Sequence, residues 1–200
     1  ASDVYKRQNV RWVAKLGSQA YGNVTVGNGC VFVGTNNESP RDPKKKGDRG
    51  VVMCLDEQTG DLKWQLVIPK LGAGKVSDWE YIGVCSSPAV DGDIVYVVTN
   101  RCEVVCLDIN GLADGNMGPY KDEAAYVRPK GSQDPLDESL DADIIWMYDM
   151  RDELGVFPHN VTSSSPLVLG DKVFIATSNG VDWSHTVSYT HLRAHETLTD

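Results

Sequence analysis

VTVGNGCVFVGT (residues 24–35), PAVDGDIVYVVT (88–99) and PLVLGDKVFIAT (166–177) are three copies of one pattern. In each, a short apolar run meets a turn carrying Gly or Asp. A second apolar run follows and closes on Thr35, Thr99 or Thr177. Apolar runs split by such a turn read as a β-hairpin. A hairpin recurring along the chain indicates a stacked or radial repeat, because one unit alone cannot bury its apolar faces.

Extending outward from the hairpins gives a four-stranded unit. In the first, strand A lies near 22–26, B near 30–35, C near 51–56 and D near 61–67, with tight turns at 27–29 and 57–60. The second has A at 86–90, B at 94–99 and C at 103–108. A polar insertion, 112–141, then precedes a D strand near 143–148. The third unit begins at Ser163 and is followed through strand B. Strands B and C are apolar on both faces (51–55 and 94–98), which predicts sheets stacked face to face. Upstream, VRWVAKL (10–16) places Trp12 at the end of a D strand, where Trp64 and Trp146 stand in the later units. The expectation is an all-β chain holding about two and a half four-stranded blades of a β-propeller. Part of a ring exposes blade edges, so this piece is expected to need the rest of the propeller for stability.

The run Cys54-Leu55-Asp56-Glu57-Gln58-Thr59-Gly60-Asp61-Leu62-Lys63-Trp64 resembles the tryptophan-docking motif of quinoprotein-type (PQQ-like repeat) propellers. That pattern is Ala, any residue, Asp, two residues, Thr-Gly, three residues, Trp; here Cys54 stands for the Ala. CLDIN from Cys106 repeats the motif's opening. NRCEVVCLD (100–108) and GVFPHN (155–160) are similar to a subgroup of bacterial exported members. The resemblance covers residues 9–186 and implies a periplasmic or exported location. It points to two functions. Some members are dehydrogenases holding pyrroloquinoline quinone and calcium over a central funnel; others are outer-membrane assembly scaffolds that hold no cofactor.

The two ends read differently. Residues 1–8 (ASDVYKRQ) are what AGATGTGTATAAGAGACAG encodes in one frame, a string resembling a transposon end used in sequencing libraries; residues 187–197 (VSYTHLRAHET) match its reverse complement. Segments 1–8 and 187–200 are therefore expected to be adapter-derived, leaving His159 and His185 as the histidines open to interpretation.

Net charge is −9, which argues against nucleic acid as the main partner. The basic residues Arg41, Lys44, Lys45, Lys46 and Arg49 are interleaved with Asp42 and Asp48 and read as a solvated loop. No apolar run approaches the ~20 residues of a membrane span. Cys102 and Cys106, four apart on a strand, lie too far apart for a disulfide. Cys54 and Cys106, at matching repeat positions, read as small buried hydrophobes.

Propeller topology sorts the loops. D–A and B–C connections share one face: 78–81, 100–101, 151–160 and 179–185. On that face His159 is either a proton-transferring base or a loop histidine bonded to backbone. Asn160 and Asn179 offer amide oxygens to calcium, or simply serve as turn residues. Arg101 either clamps a quinone carboxylate or pairs with Glu103 or Asp182. Trp79 and Trp183 stack on a planar cofactor or plug the mouth. DINGLADGN (108–116) hints at a calcium loop without the carboxylate spacing of one, and the insertion reads as a solvated excursion. The two readings are an alcohol or sugar oxidoreductase taking a small-molecule substrate, and a scaffold binding a protein partner.

Overall fold

Residues 9–75, 77–129, 131–177 and 197–198 are described in a computed structural model of the chain. The calls on residues 1–8, on Asn179 and Trp183, and on most of 187–200 lie outside them.

The repeat produces two sheets of the same order. β1 (Thr25–Gly27), β2 (Cys30–Asn36), β3 (Gly50–Asp56) and β4 (Leu62–Ile68) form the first, and β5 (Ala89–Asp91), β6 (Ile94–Val98), β7 (Glu103–Asp108) and β8 (Ile144–Asp149) the second. Each is an antiparallel meander in sequence order. β9 (Leu167–Leu169) and β10 (Lys172–Phe174) begin a third, and β11 (Thr197–Leu198) pairs with β10.

The equivalence extends to detail. Cys54 faces Trp64 across β3 and β4, and Cys106 faces Trp146 across β7 and β8. A small side chain opposite leaves room for the indole. The register shifts at Cys54/Leu55 and again at Cys106/Leu107, a bulge that re-aims the side chain beside it. Phe32 meets Trp64 with ring centroids 5.9 Å apart, and Tyr96, at the matching position, meets Trp146 at 6.0 Å.

Both faces of the central strands are buried. Phe32, Cys54 and Trp64 pack with Val95, Val105 and Leu107 between the first two units, while Val31, Val33 and Met53 pack under Trp12 and Leu16. Tyr96, Val98 and Val104 pack against Val173 and Ile175 of the third unit. Backbone bonds also climb from unit to unit at equivalent positions: Asn23 N–H donates to Ser87 Oγ (2.7 Å), and Ser87 N–H to Ser165 Oγ (3.0 Å).

Indoles join the units. Trp12 Nε1–H donates to the Glu57 carbonyl (2.9 Å), and Trp64 Nε1–H to the equivalent carbonyl of Ile109 (2.8 Å). Gly60 has φ +78°, and a Cβ there would sit 2.5 Å from the Trp12 ring. Its left-handed turn and its lack of a side chain are therefore both needed. Gly111, with φ +62°, meets Trp64 in the same way. Residues 10–16 form no strand, because the described residues give them no neighbouring strand to pair with.

Two expectations are corrected. The insertion is not a solvated excursion. It carries a short 3-10 turn (Gly111–Asp114) and α1 (Glu123–Val127), and it buries Leu112, Glu123, Val127 and Asp141. It then closes the outer edge of β4: Gln65 N–H donates to Leu140 O, and Ala142 N–H to Gln65 O. An uncovered edge strand would present unpaired backbone groups, which this segment satisfies. The basic loop is solvated only in part: Arg41, Lys44 and Lys46 are exposed, but Lys45 and Arg49 are not. Lys45 is buried against Asp42 and Asp141, and Arg49 donates to Val127 O (3.1 Å) at the end of α1. These two cations tie the first unit to the insertion of the second.

Candidate functional site

The D–A and B–C connections meet on one face as expected, and they are knitted together. The B–C turn of the second unit is tighter than that of the first. Thr99 N–H donates to Glu103 O and Cys102 N–H to Thr99 O, with Cys102 at φ +62°. This is the three-residue hairpin whose last position is usually glycine. Thr99 Oγ1 donates to Glu103 Oε2 (2.9 Å), so strand end and loop share one carboxylate.

Glu103 is the hub. Its Oε1 accepts from Arg101 Nε (2.8 Å) and Arg151 Nη2 (3.4 Å), and its Oε2 also accepts from Tyr126 Oη (2.6 Å). Arg151, the second residue of α2 (Met150–Leu154), also pairs with Asp149. Burial drives the Tyr126 phenol well above its ordinary value, and the adjacent Glu103 adds to this. Arg101 Nη1 donates to Lys70 O (3.1 Å). Of the two carboxylates open to Arg101 in the sequence, Glu103 pairs with it, and Asp182 lies outside the described residues.

Lys70 carries the network across the face. Its ammonium pairs with Asp78 (2.5 Å), lies 3.9 Å from Asp48, and donates to Trp79 O (2.7 Å). Burial raises the Asp78 carboxyl, opposed by its bond from Lys70. Trp79 N–H donates to Asn160 O (2.8 Å), which brings the 78–81 and 157–160 loops together. Tyr81 and Asn160 both hold positive φ (59° and 62°). Left-handed non-glycine residues are uncommon and persist where their surroundings fix them.

The structure therefore places Trp79, Arg101 and Asn160 in one network. His159 lines a neighbouring cleft of about 390 Å³ with Cys102, Met150, Phe157, Thr162 and Thr177. Three aromatic side chains of this face stand out in solvent: Trp79 is 46 % exposed, Tyr81 48 % and Phe157 40 %. Sequence reading missed Lys70 and Arg151 as the residues that complete the network. Their one signal was position, each just after a D strand.

Arg101 Nε and Nη1 are bonded to Glu103 and Lys70 O, and the backbone carbonyl of Asn160, not the side-chain amide oxygen considered for calcium, accepts from Trp79 N–H; Asn179 and Trp183 lie outside the described residues. No three His, Cys, Asp or Glu side chains among the described residues gather around a common point. No described helix is long and apolar enough to cross a membrane.

Comparison with known proteins places these observations. A family model described as "Outer membrane protein assembly factor BamB" matches residues 7–188. Among solved structures, BamB from Moraxella catarrhalis is similar at 16 % identity and a TM-score of 0.39. The match covers 79 % of this chain and 30 % of that one. A europium-containing methanol dehydrogenase is similar at 15 % identity and a TM-score of 0.45, over 86 % of this chain and 23 % of that one. The chain thus spans less than a third of either. No curated protein sequence matches. The family match and the repeated four-stranded meanders show the fold: part of a PQQ-like β-propeller.

Proposed function

Because the chain belongs to the PQQ-like propeller family whose model is described as outer membrane protein assembly factor BamB, we propose that it is part of a non-catalytic scaffold in an exported, periplasmic compartment. Its tryptophan-docking motif builds the ring, and its loop face docks a protein partner. The carrying observation is the character of that face: Trp79, Tyr81 and Phe157 project from loops held by ion pairs among Lys70, Asp78, Arg101, Glu103 and Arg151. Exposed aromatics on a rigid support are the usual anchors of protein interfaces. Ion pairs closed inside the face leave little charge to recruit a small anionic cofactor, while they hold the anchors in register.

The test is site-directed photocrosslinking of the full-length protein in its native host. A crosslinking residue at Trp79 or Phe157 is expected to capture one discrete protein, and one at Asp61, on the opposite face, to capture none. Purified with that partner, Trp79→Ala should weaken binding by about 30-fold, as loss of a hot-spot aromatic does. The chain itself should keep its stability within ~0.5 kcal/mol, because the side chain is exposed. Equal crosslinking from both faces would defeat the reading.

A further inference from the structure

We propose that Glu123 and Asp143, buried side by side beneath the insertion, bind a hard divalent cation of the calcium class. Both residues are fully buried, at 0 % exposure. Glu123 opens α1, and Asp143 leads into β8. Adjacent residues of the insertion each satisfy one oxygen. Asn116 Nδ2 donates to Glu123 Oε2 (2.9 Å), and Met117 N–H donates to Asp143 Oδ2 (2.7 Å). The second oxygen of each carboxylate, Glu123 Oε1 and Asp143 Oδ1, is buried with no partner.

Two like charges in one dry site are costly unless something positive joins them. Lys121 lies beside them, but its Nζ is held by Asn116 O (2.6 Å), Asn116 Oδ1 (2.6 Å) and Met117 O (3.2 Å). Those three oxygens, with the two unpartnered carboxylate oxygens, are the ligand types calcium takes: carboxylate, side-chain amide and backbone carbonyl. Magnesium, which demands near-ideal octahedral geometry and keeps its waters, suits such a site less well. A bound cation would fasten 116–123 to the start of β8. It would thereby fix the segment that covers β4 of the first unit. This site uses none of the loop-face residues, so it stands or falls apart from the scaffold reading.

The experiment uses the full-length protein stripped with a chelator. Terbium is expected to bind and to luminesce through Tyr120 or Tyr126, with calcium displacing it at lower concentration than magnesium. Calcium at a hundredfold excess over its Kd should raise the Tm by about 5–10 °C. Glu123→Gln and Asp143→Asn should abolish both signals, and Asp122→Asn, exposed next door, should leave them intact. Two outcomes overturn the proposal. One is the absence of terbium emission and of any calcium-dependent Tm shift in the unmutated protein. The other is stability that rises as the pH falls through about 6, indifferent to calcium and flattened in Asp143→Asn. The groups facing Asp143 are Glu123, Asp108 and Lys121, and that second pattern would mean that the pair shares a proton.

Discussion

The first two units have the same strands, the same bulge and the same aromatic pair, yet their C–D connections differ. The first receives Trp12, whose Nε1–H donates to Glu57 O, and the second receives Trp64, whose Nε1–H donates to Ile109 O. In the first unit, Asp56 accepts from Gln58 N–H and Thr59 N–H, a tight turn that receives Trp12. In the second, the turn opens into the insertion. Its first residues still receive Trp64, and its remainder runs back to cover β4. A repeat can thus exchange a turn for a long segment without losing its docking carbonyl, and the added chain strengthens the joint before it.

The comparison can be broken most sharply at Trp64. Trp64→Ala should cost about 4 kcal/mol in urea unfolding of the full-length protein, and Trp64→Phe, which keeps a buried ring but loses the bond to Ile109 O, about 2. Equal losses would show that burial of the ring is not what holds the joint. Next in size is Lys45→Met, at about 3 kcal/mol, because it leaves Asp141 buried without its cation. Adding Asp141→Leu should recover part of that loss, and no recovery would remove the ion pair as the link to the insertion. Gly60→Ala should cost about 2 kcal/mol, from left-handed strain and the clash with Trp12. Gly92→Ala, with φ +57° but open space around it, should cost about 1 kcal/mol.

The smallest effect concerns the thiols of the second unit. Burial pushes Cys102 up to about 11 and Cys106 to about 12. Their protonated state therefore supports folding in full below the ordinary thiol value near 9. That support is lost as the pH rises through 11 to 12. At pH 8 an aromatic disulfide reagent should leave both unmodified until the protein is unfolded. Rapid labelling of native protein would mean that the joint opens.

The fold was legible because its signals are local: alternating runs, turn residues, and a motif whose Thr-Gly and Trp each serve a visible contact. The insertion was misread because its cues are distant. Nothing near Asp141 or Gln65 in sequence announces that one pairs with the other. Likewise Lys45 looks solvated in a run of three lysines, and only the fold places Asp141 against it. The loop face was legible as a set of positions but not as a network. Arg101 and Glu103 are neighbours in sequence; Arg151, Tyr126 and Lys70 reach them only through the packing of α1, α2 and two loops.

The claim that the loop face is closed to a cofactor and open to a protein is tested most directly by titrating full-length protein with pyrroloquinoline quinone and calcium, followed by absorbance. The account predicts no saturable change at micromolar quinone and no difference between the unmutated protein and Arg101→Ala. Saturable micromolar binding, weakened tenfold or more by Arg101→Ala, would contradict it and restore the oxidoreductase reading.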